Sequence, residues 1–212
     1  MATQLGLYNE ALRLLGERRL ASLSENREPR RVLDDIWNDG AMKYCLEQGQ
    51  WDFAMRAVKI TKSVTVPAFG FTYAFDKPND FIRTAGLSAD EAFNMPLLYT
   101  LEEVGFWFAN VNPIYVRYVS NDTNYGSDLT RWPQTFSKYV AAYLASEAAW
   151  TLTQDEKKRN DAILLATSRL LDARSKNALA NATSFAPQGA WAASRLKNGS
   201  RRDRGNRSSL IG

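Results

Sequence analysis

Histidine is missing from the 212 residues, and cysteine occurs once, at Cys45. Without imidazole and with a single thiol, the usual zinc, iron and copper ligand sets are excluded, as are Ser-His-Asp and Cys-His catalysis. A lone cysteine closes no internal disulfide, and on a helix it reads as a small buried apolar residue. An all-carboxylate magnesium or calcium site stays open. Asp34, Asp35 and Asp39, however, lack the loop pattern of an EF-hand and read as a solvated helix face. No Gly-rich phosphate loop is present, so no cofactor is expected. No run of about 18 apolar residues occurs, so no membrane span is expected. The opening Met1-Ala2-Thr3-Gln4-Leu5 has neither the basic nor the apolar part of a secretion signal, and a cytoplasmic site of synthesis is the expectation.

What is present suits a folded chain. Hydrophobic residues make up 45% and charged residues 24%, which is ordinary globular usage and argues against disorder of the whole. Six Trp, nine Tyr and ten Phe are more aromatics than a solitary surface needs, a lean toward assembly. The net charge of +4 is unevenly placed. Residues 195–212 hold six basic residues and one acid, a charge of +5 that leaves −1 on residues 1–194. The basic character therefore belongs to the end of the chain and not to its body.

Leu5, Tyr8, Leu12 and Leu15 share one helical face, so residues 4–16 read as a helix stopped by Gly16. Residues 17–26 form a connector anchored by Leu20 and Leu23. A second helix is expected from about Pro29 to Gln48, capped by Asn26, with Leu33, Trp37, Ala41 and Tyr44 as its stripe. Gly40 weakens its middle by roughly 1 kcal/mol relative to Ala. Alternation then takes over. Val58, Ile60, Val64 and Val66 predict a strand, followed by extended segments at Phe71–Phe75, Phe81–Arg83, Pro96–Leu101, Gly105–Ala109 and Ile114–Val119. Trp132-Pro133 starts a long helix through Leu152, with Phe136, Val140, Tyr143 and Trp150 on one face, interrupted by Glu147. Thr153-Gln154-Asp155-Glu156 matches a capping box for a last helix, which carries Ile163, Ala166, Leu170 and Ala173 at helical spacing and fades near Ala182. The predicted class is α+β, mainly α. A helical bundle (1–54 and 128–183) carries an inserted antiparallel β lobe (55–127), and an extended basic tail (184–212) follows. Alone, that tail has too little apolar surface to offset its ordering entropy.

Several segments, taken in order, resemble the tail tubular protein A family, the head-to-tail adaptors of short-tailed bacteriophages. The first is Tyr8-Asn9-Glu10-Ala11-Leu12-Arg13-Leu14-Leu15-Gly16-Glu17 with Leu20-Ala21-Ser22-Leu23. Next come Arg31-Val32-Leu33 and Gly49-Gln50-Trp51-Asp52-Phe53-Ala54, whose Gly-x-Trp-x-Phe pattern is the most specific element. Then follow Lys77-Pro78-Asn79-Asp80-Phe81-Ile82-Arg83, Tyr115-Val116-Arg117-Tyr118-Val119, and Trp132-Pro133-Gln134-Thr135-Phe136 with the Ala-rich helix. Each motif is weak alone, and the ordered set spans roughly residues 5 to 180.

The resemblance implies a structural protein of the virion tail, assembled in the host cytoplasm, and no enzyme. Twelve copies would form a ring beneath the portal protein, around a channel through which DNA passes without sequence-specific binding. The β lobe would point to the next tail protein, a nozzle or tail tube. The C-terminal segment would dock on the portal through Trp191, Arg195, Lys197, Arg201, Arg202, Arg204, Arg207, Leu210 and Ile211. Trp51, Phe53, Trp37, Trp132, Tyr143 and Trp150 would serve core or subunit packing. Glu147 would pair with an arginine of a neighbouring helix or subunit, or face solvent. The competing reading is a nucleic-acid-binding module acting through the basic tail, whose Lys and Arg would neutralise phosphates. A solvated tail without a partner is the third.

Overall fold

A computed structural model describes residues 2–180; the last segment of the chain lies outside the described residues. Helices α1 (Gln4–Leu15), α2 (Glu28–Ile36), α3 (Met42–Glu47), α4 (Gln134–Thr153) and α5 (Glu156–Ala180) enclose, in chain order, six strands. These are β1 (Met55–Ile60), β2 (Tyr73–Asp76), β3 (Phe81–Ser88), β4 (Leu101–Glu102), β5 (Phe106–Ala109) and β6 (Ile114–Ser120). The class is α+β, mainly α, with two small antiparallel sheets ordered β1-β6-β3 and β2-β5-β4. Bundle and lobe belong to one compact unit that ends at Leu179.

Each boundary has a local cause. Thr3 caps α1 by accepting from the Gly6 amide at 3.1 Å. Gly16 closes it in the left-handed region at φ 78°, and Glu17 N–H donates back to the Leu12 carbonyl at 2.9 Å. The connector is pinned by Asn9, whose side chain accepts from Leu20 N–H at 2.7 Å and donates to the Leu20 carbonyl at 3.1 Å. Leu20 is buried there, whereas Leu23 is exposed and anchors nothing.

The expected single helix from Pro29 to Gln48 is broken. Trp37–Ala41 forms a wide turn in which Gly40 takes φ 98°, which an L side chain rarely adopts, so Gly40 redirects the chain and does more than lower helix propensity. Asn26 does not cap α2. Arg27 holds that position without a side-chain bond, and Asn26 accepts instead from the Arg31 guanidinium. Pro133 stands at the cap position of α4, just before the helix and not inside it. The expected capping box at α5 is replaced by Asp155, which accepts from Lys157 N–H at 2.9 Å and Lys158 N–H at 3.3 Å. Thr153 is otherwise engaged, donating to the Ala149 carbonyl at 2.7 Å.

In the lobe, β1 ends at Ile60, short of the expected alternation, and Val64 and Val66 stand exposed. The Pro96–Leu101 segment contributes only an isolated bridge, Pro96 to Ser88, before β4. Met55 pairs with Val119 at the end of β1 nearest the bundle, and Ile60 pairs with Ile114 at the other end. Val119 belongs to the helical core, with Met55 and Ile82 packed on it, so the lobe grows out of the bundle's own core. A second, smaller core of Phe75, Trp107, Ile114, Val116 and Tyr118 lies between the two sheets.

Candidate interaction surfaces

The aromatic centre of the bundle is built on one short motif. Trp51 is 1% exposed, and its indole N–H donates to the Cys45 and Leu46 carbonyls at 3.2 and 3.1 Å, satisfying the end of α3. Phe136 sits 4.7 Å from Trp51, 4.8 Å from Phe53 and 4.8 Å from Trp132, centroid to centroid. Trp132 donates through its indole N–H to the Gly126 carbonyl at 2.8 Å. Of the six aromatic packing candidates, Trp51 and Trp132 are buried in this centre and Phe53 packs on it half-buried. Trp37 is half-buried beside Tyr8, at 6.1 Å. Tyr143 stacks on Tyr44 at 4.8 Å. Trp150 leaves the expected α4 core face: it is 54% exposed, because nothing in the bundle covers the C-terminal half of that face.

Two polar clusters act as staples. Tyr8 donates to Asp34 at 3.0 Å, and Asp34 also pairs with Arg30. Asp34 is therefore a tertiary contact and not part of a solvated face, while Asp35 and Asp39 are exposed. Burial pushes the Tyr8 phenol up, and the Asp34 carboxylate adds to it. At the lobe, Asp80 accepts from Arg56 at 2.9 Å, from the Tyr118 hydroxyl at 3.1 Å and from Ser120. Burial alone would raise the Asp80 pKa, but the bonds from Ser120, Arg56 and Tyr118 outweigh it, and the carboxyl lies below its ordinary range. Both clusters join distant segments; in the first, the buried Arg30 Nε is left without a hydrogen-bond partner among the described residues. Among the described residues no group of three or more acidic or thiol side chains is placed to hold a metal ion.

The unsatisfied chemistry is apolar and on the surface. Val64, Val66 and Phe69, on the segment between β1 and β2, are 98%, 81% and 78% exposed. The strand register puts this segment at the end of the lobe away from the bundle, together with the loop after Ser88 that carries Met95. On α5, Ala162, Ala166 and Ala173 face inward, whereas Leu164 and Leu171 are exposed. Val64 and Val66 carry the expected strand alternation, whereas Phe69, Met95, Leu164 and Leu171 do not stand out in the periodicity, which marks an apolar face without telling whether anything covers it. Trp191, Arg195, Lys197, Arg201, Arg202, Arg204, Arg207, Leu210 and Ile211 all lie outside the described residues. Glu147 is exposed. No helix among the described residues is long and apolar enough to cross a membrane.

The fold thus defines a mainly α, α+β protein: a helical bundle bearing a two-sheet lobe, with apolar side chains left uncovered at both. No protein-family model matches the chain, and comparison with curated proteins finds no relative.

Proposed function

We propose that this chain is a structural subunit of a bacteriophage tail, a head-to-tail adaptor that forms a ring around the DNA channel and docks on the portal through residues 184–212. The observation that carries the reading is the role of the motif residues. Gly16 ends α1, Asn9 pins the connector, Trp51 seals α3 and Asp80 ties β1 to β6. The residues that carry the resemblance are therefore those that set the architecture, so the likeness is one of scaffold. The uncovered side chains of α5 and of the lobe tip supply what a ring subunit requires, contact surfaces toward neighbours. The lobe tip, with Val64, Val66 and Phe69, is the surface for the next tail protein.

The test is assembly. The full chain mixed with the portal of the same phage is expected to give a ring on the portal by electron microscopy, and a chain lacking residues 186–212 is expected to give none. Normal docking by the truncated chain overturns the assignment of the tail. Tight, salt-sensitive DNA binding by the full chain, lost on the same truncation, would favour the nucleic-acid-binding reading.

A further inference from the structure

Strand β1 has a strand neighbour on one side only. Its residues pair with Ile114–Val119 of β6 without a register shift. On its other side the backbone of Met55–Ile60 bonds to nothing among the described residues, and no residue of the strand is buried. The edges at β3 and β2 are protected. β3 carries two register shifts, and Leu97 N–H donates to the Leu87 carbonyl at 3.0 Å along its free side. β2 is covered by Ser63, whose N–H donates to the Ala74 carbonyl at 2.7 Å. A regular, uncovered edge is a template for one more strand, so its own backbone groups specify an extended peptide as what completes it.

A strand without a full partner lies on the opposite flank of the lobe. The residue types of Pro96–Leu101 predict a strand, but only Leu101 and Glu102 pair, as β4, on β5. Leu98 and Tyr99 before them are 83% and 84% exposed, and β4 has no strand on its far side. The Thr84 hydroxyl of β3 donates to the Glu102 carboxylate at 3.0 Å, so β4 lies on the β3 side. Ser63 follows β1 by three residues and bonds to β2, so β2 lies on the β1 side. Because β1 and β3 flank β6, the open edges of β1 and β4 are on opposite flanks.

Direction and charge suit a pairing between these edges. β1 runs toward the lobe tip, where Ile60 meets Ile114. β5 leads through residues 110–113 to Ile114 and so runs the same way, and β4 is antiparallel to it. Copies standing side by side, lobes pointing one way, therefore present β1 and β4 antiparallel. Residues 55–62 hold Arg56, Lys59 and Lys62 and no acid, whereas residues 96–105 hold Glu102 and Glu103 and no base. Arg56 and Glu102 are engaged within the copy, by Asp80 at 2.9 Å and by Lys77 at 2.8 Å. Glu91, beyond β3, reaches Lys59 at 4.0 Å across the sheet and accepts from the Tyr115 hydroxyl on the way. Asp76 of β2 lies opposite Phe106, at the end of its strand away from the tip. Lys62 and Glu103 have no ion-pair partner among the described residues.

We infer that β1 of one copy pairs antiparallel with β4 of the next copy, β4 lengthening to residues 99–103 on that edge. A register that sets Glu103 opposite the exposed Ala57 puts it diagonally beside Lys59 on the same face. Pairing of β1 with its own counterpart is disfavoured, since centred antiparallel self-pairing sets Arg56 opposite Lys59, a like-charge pair. Unlike edges on opposite flanks join copies head to tail, the contact from which rings are made. This deepens the ring reading and rests on it for its biological sense.

The experiment mixes full-length chain of natural isotope content with chain labelled in heavy nitrogen, at high concentration and without any partner. A carbodiimide then joins amines directly to neighbouring carboxylates, and mass spectrometry reads the linked peptides. The expected product is a Lys59–Glu103 link in mixed-isotope form. The Lys59–Glu91 link forms within one copy, stays single-isotope and serves as the standard. Adjacent residues of a strand turn their N–H groups opposite ways, so at least one of Tyr99→Pro and Thr100→Pro removes a bond to β1 and is expected to abolish the mixed link. Absence of a mixed Lys59–Glu103 link in the parent chain overturns the inference. So does a mixed link unaffected by both proline variants, with circular dichroism showing them folded. The portal mixture separates the two readings. Rings on the portal without the 59–103 link sink this contact alone, and the link in chains that never assemble on a portal sinks the adaptor reading alone.

Discussion

The indole of Trp51 lies against Gly49: a Cβ built at Gly49 would stand 2.9 Å from two carbons of the ring. The Gly-x-Trp pattern is thus a steric pair in which the glycine makes room for an indole that must reach the Cys45 and Leu46 carbonyls. Gly49→Ala forces the ring to shift, and the ring is held by Phe136 and by two hydrogen bonds. The expected cost is about 1–3 kcal/mol, the range for overpacking a filled site. Gly105→Ala, where an added Cβ meets nothing within 4 Å, is the matched control and should change stability by less than about 0.5 kcal/mol. Urea unfolding of the two variants checks both.

Gly40 separates two readings by the sign of one mutation. Were residues 29–48 a continuous helix, Gly40→Ala would stabilise the protein by roughly 1 kcal/mol. At φ 98° the same change puts a Cβ in a conformation it tolerates poorly, so destabilisation by about 1–2 kcal/mol is expected. An unfolding midpoint that rises would show the break at Trp37–Ala41 to be wrong.

Much of this fold was legible in the residues, and the exceptions share a cause. Apolar spacing located α1, α4 and α5, alternation located β1, and apolar segments between polar breaks located β5 and β6, because those residues face a core within the same chain. Val64 and Val66 continue the alternation of β1 but have no sheet face to cover, and they finish exposed. Trp150 continues the Phe136–Val140 face, but at its level the core lies on the side of α4 that holds Ala145, Ala148 and Ala149, and Trp150 finishes exposed. The choice between Thr153 and Asp155 as cap turned on backbone direction, since Gln154 enters the left-handed region at φ 49° and moves the start of α5 beyond Thr153. Periodicity records which face is apolar, while coverage depends on tertiary neighbours that no local pattern contains. The resemblance marked Gly49, Trp51 and Asp80 without giving their reasons, which are contacts across elements.

Asp80 should make stability depend on acid. Its folded pKa lies below the ordinary value of 3.8, so the carboxylate adds stability above the unfolded value, and that contribution fades as pH falls through the folded one. Asp80→Asn removes the charge that holds Arg56 and weakens the bonds from Tyr118 and Ser120, for an expected loss of about 2 kcal/mol at pH 7. Below about pH 4 the difference between the parent and the variant should shrink, since the parent's carboxyl is then protonated as well. Comparing the two chains cancels the other carboxylates. Parallel stability curves from pH 7 to pH 2 would mean that Asp80 is not the titrating staple.

Cys45 gives a local probe of the bundle. Its side chain is fully buried at the end of α3, and burial pushes the thiol up to about 12, against a smaller lowering by its hydrogen bond with Tyr139. Thiolate is the reactive form, so neither access nor ionisation favours labelling of the folded protein at neutral pH. Reaction with a thiol reagent therefore requires opening of the α3–α4 packing, and its rate should follow the population of opened molecules. Gly49→Ala loosens the Trp51 ring that bonds to the Cys45 carbonyl, and should speed labelling by about the factor that its stability loss predicts, roughly tenfold for each 1.4 kcal/mol. Asp80→Asn acts on the lobe and should speed labelling less than its own stability loss predicts, provided the bundle can open without the lobe. Equal acceleration per kcal/mol in the two variants would show that bundle and lobe open only together, as one cooperative unit.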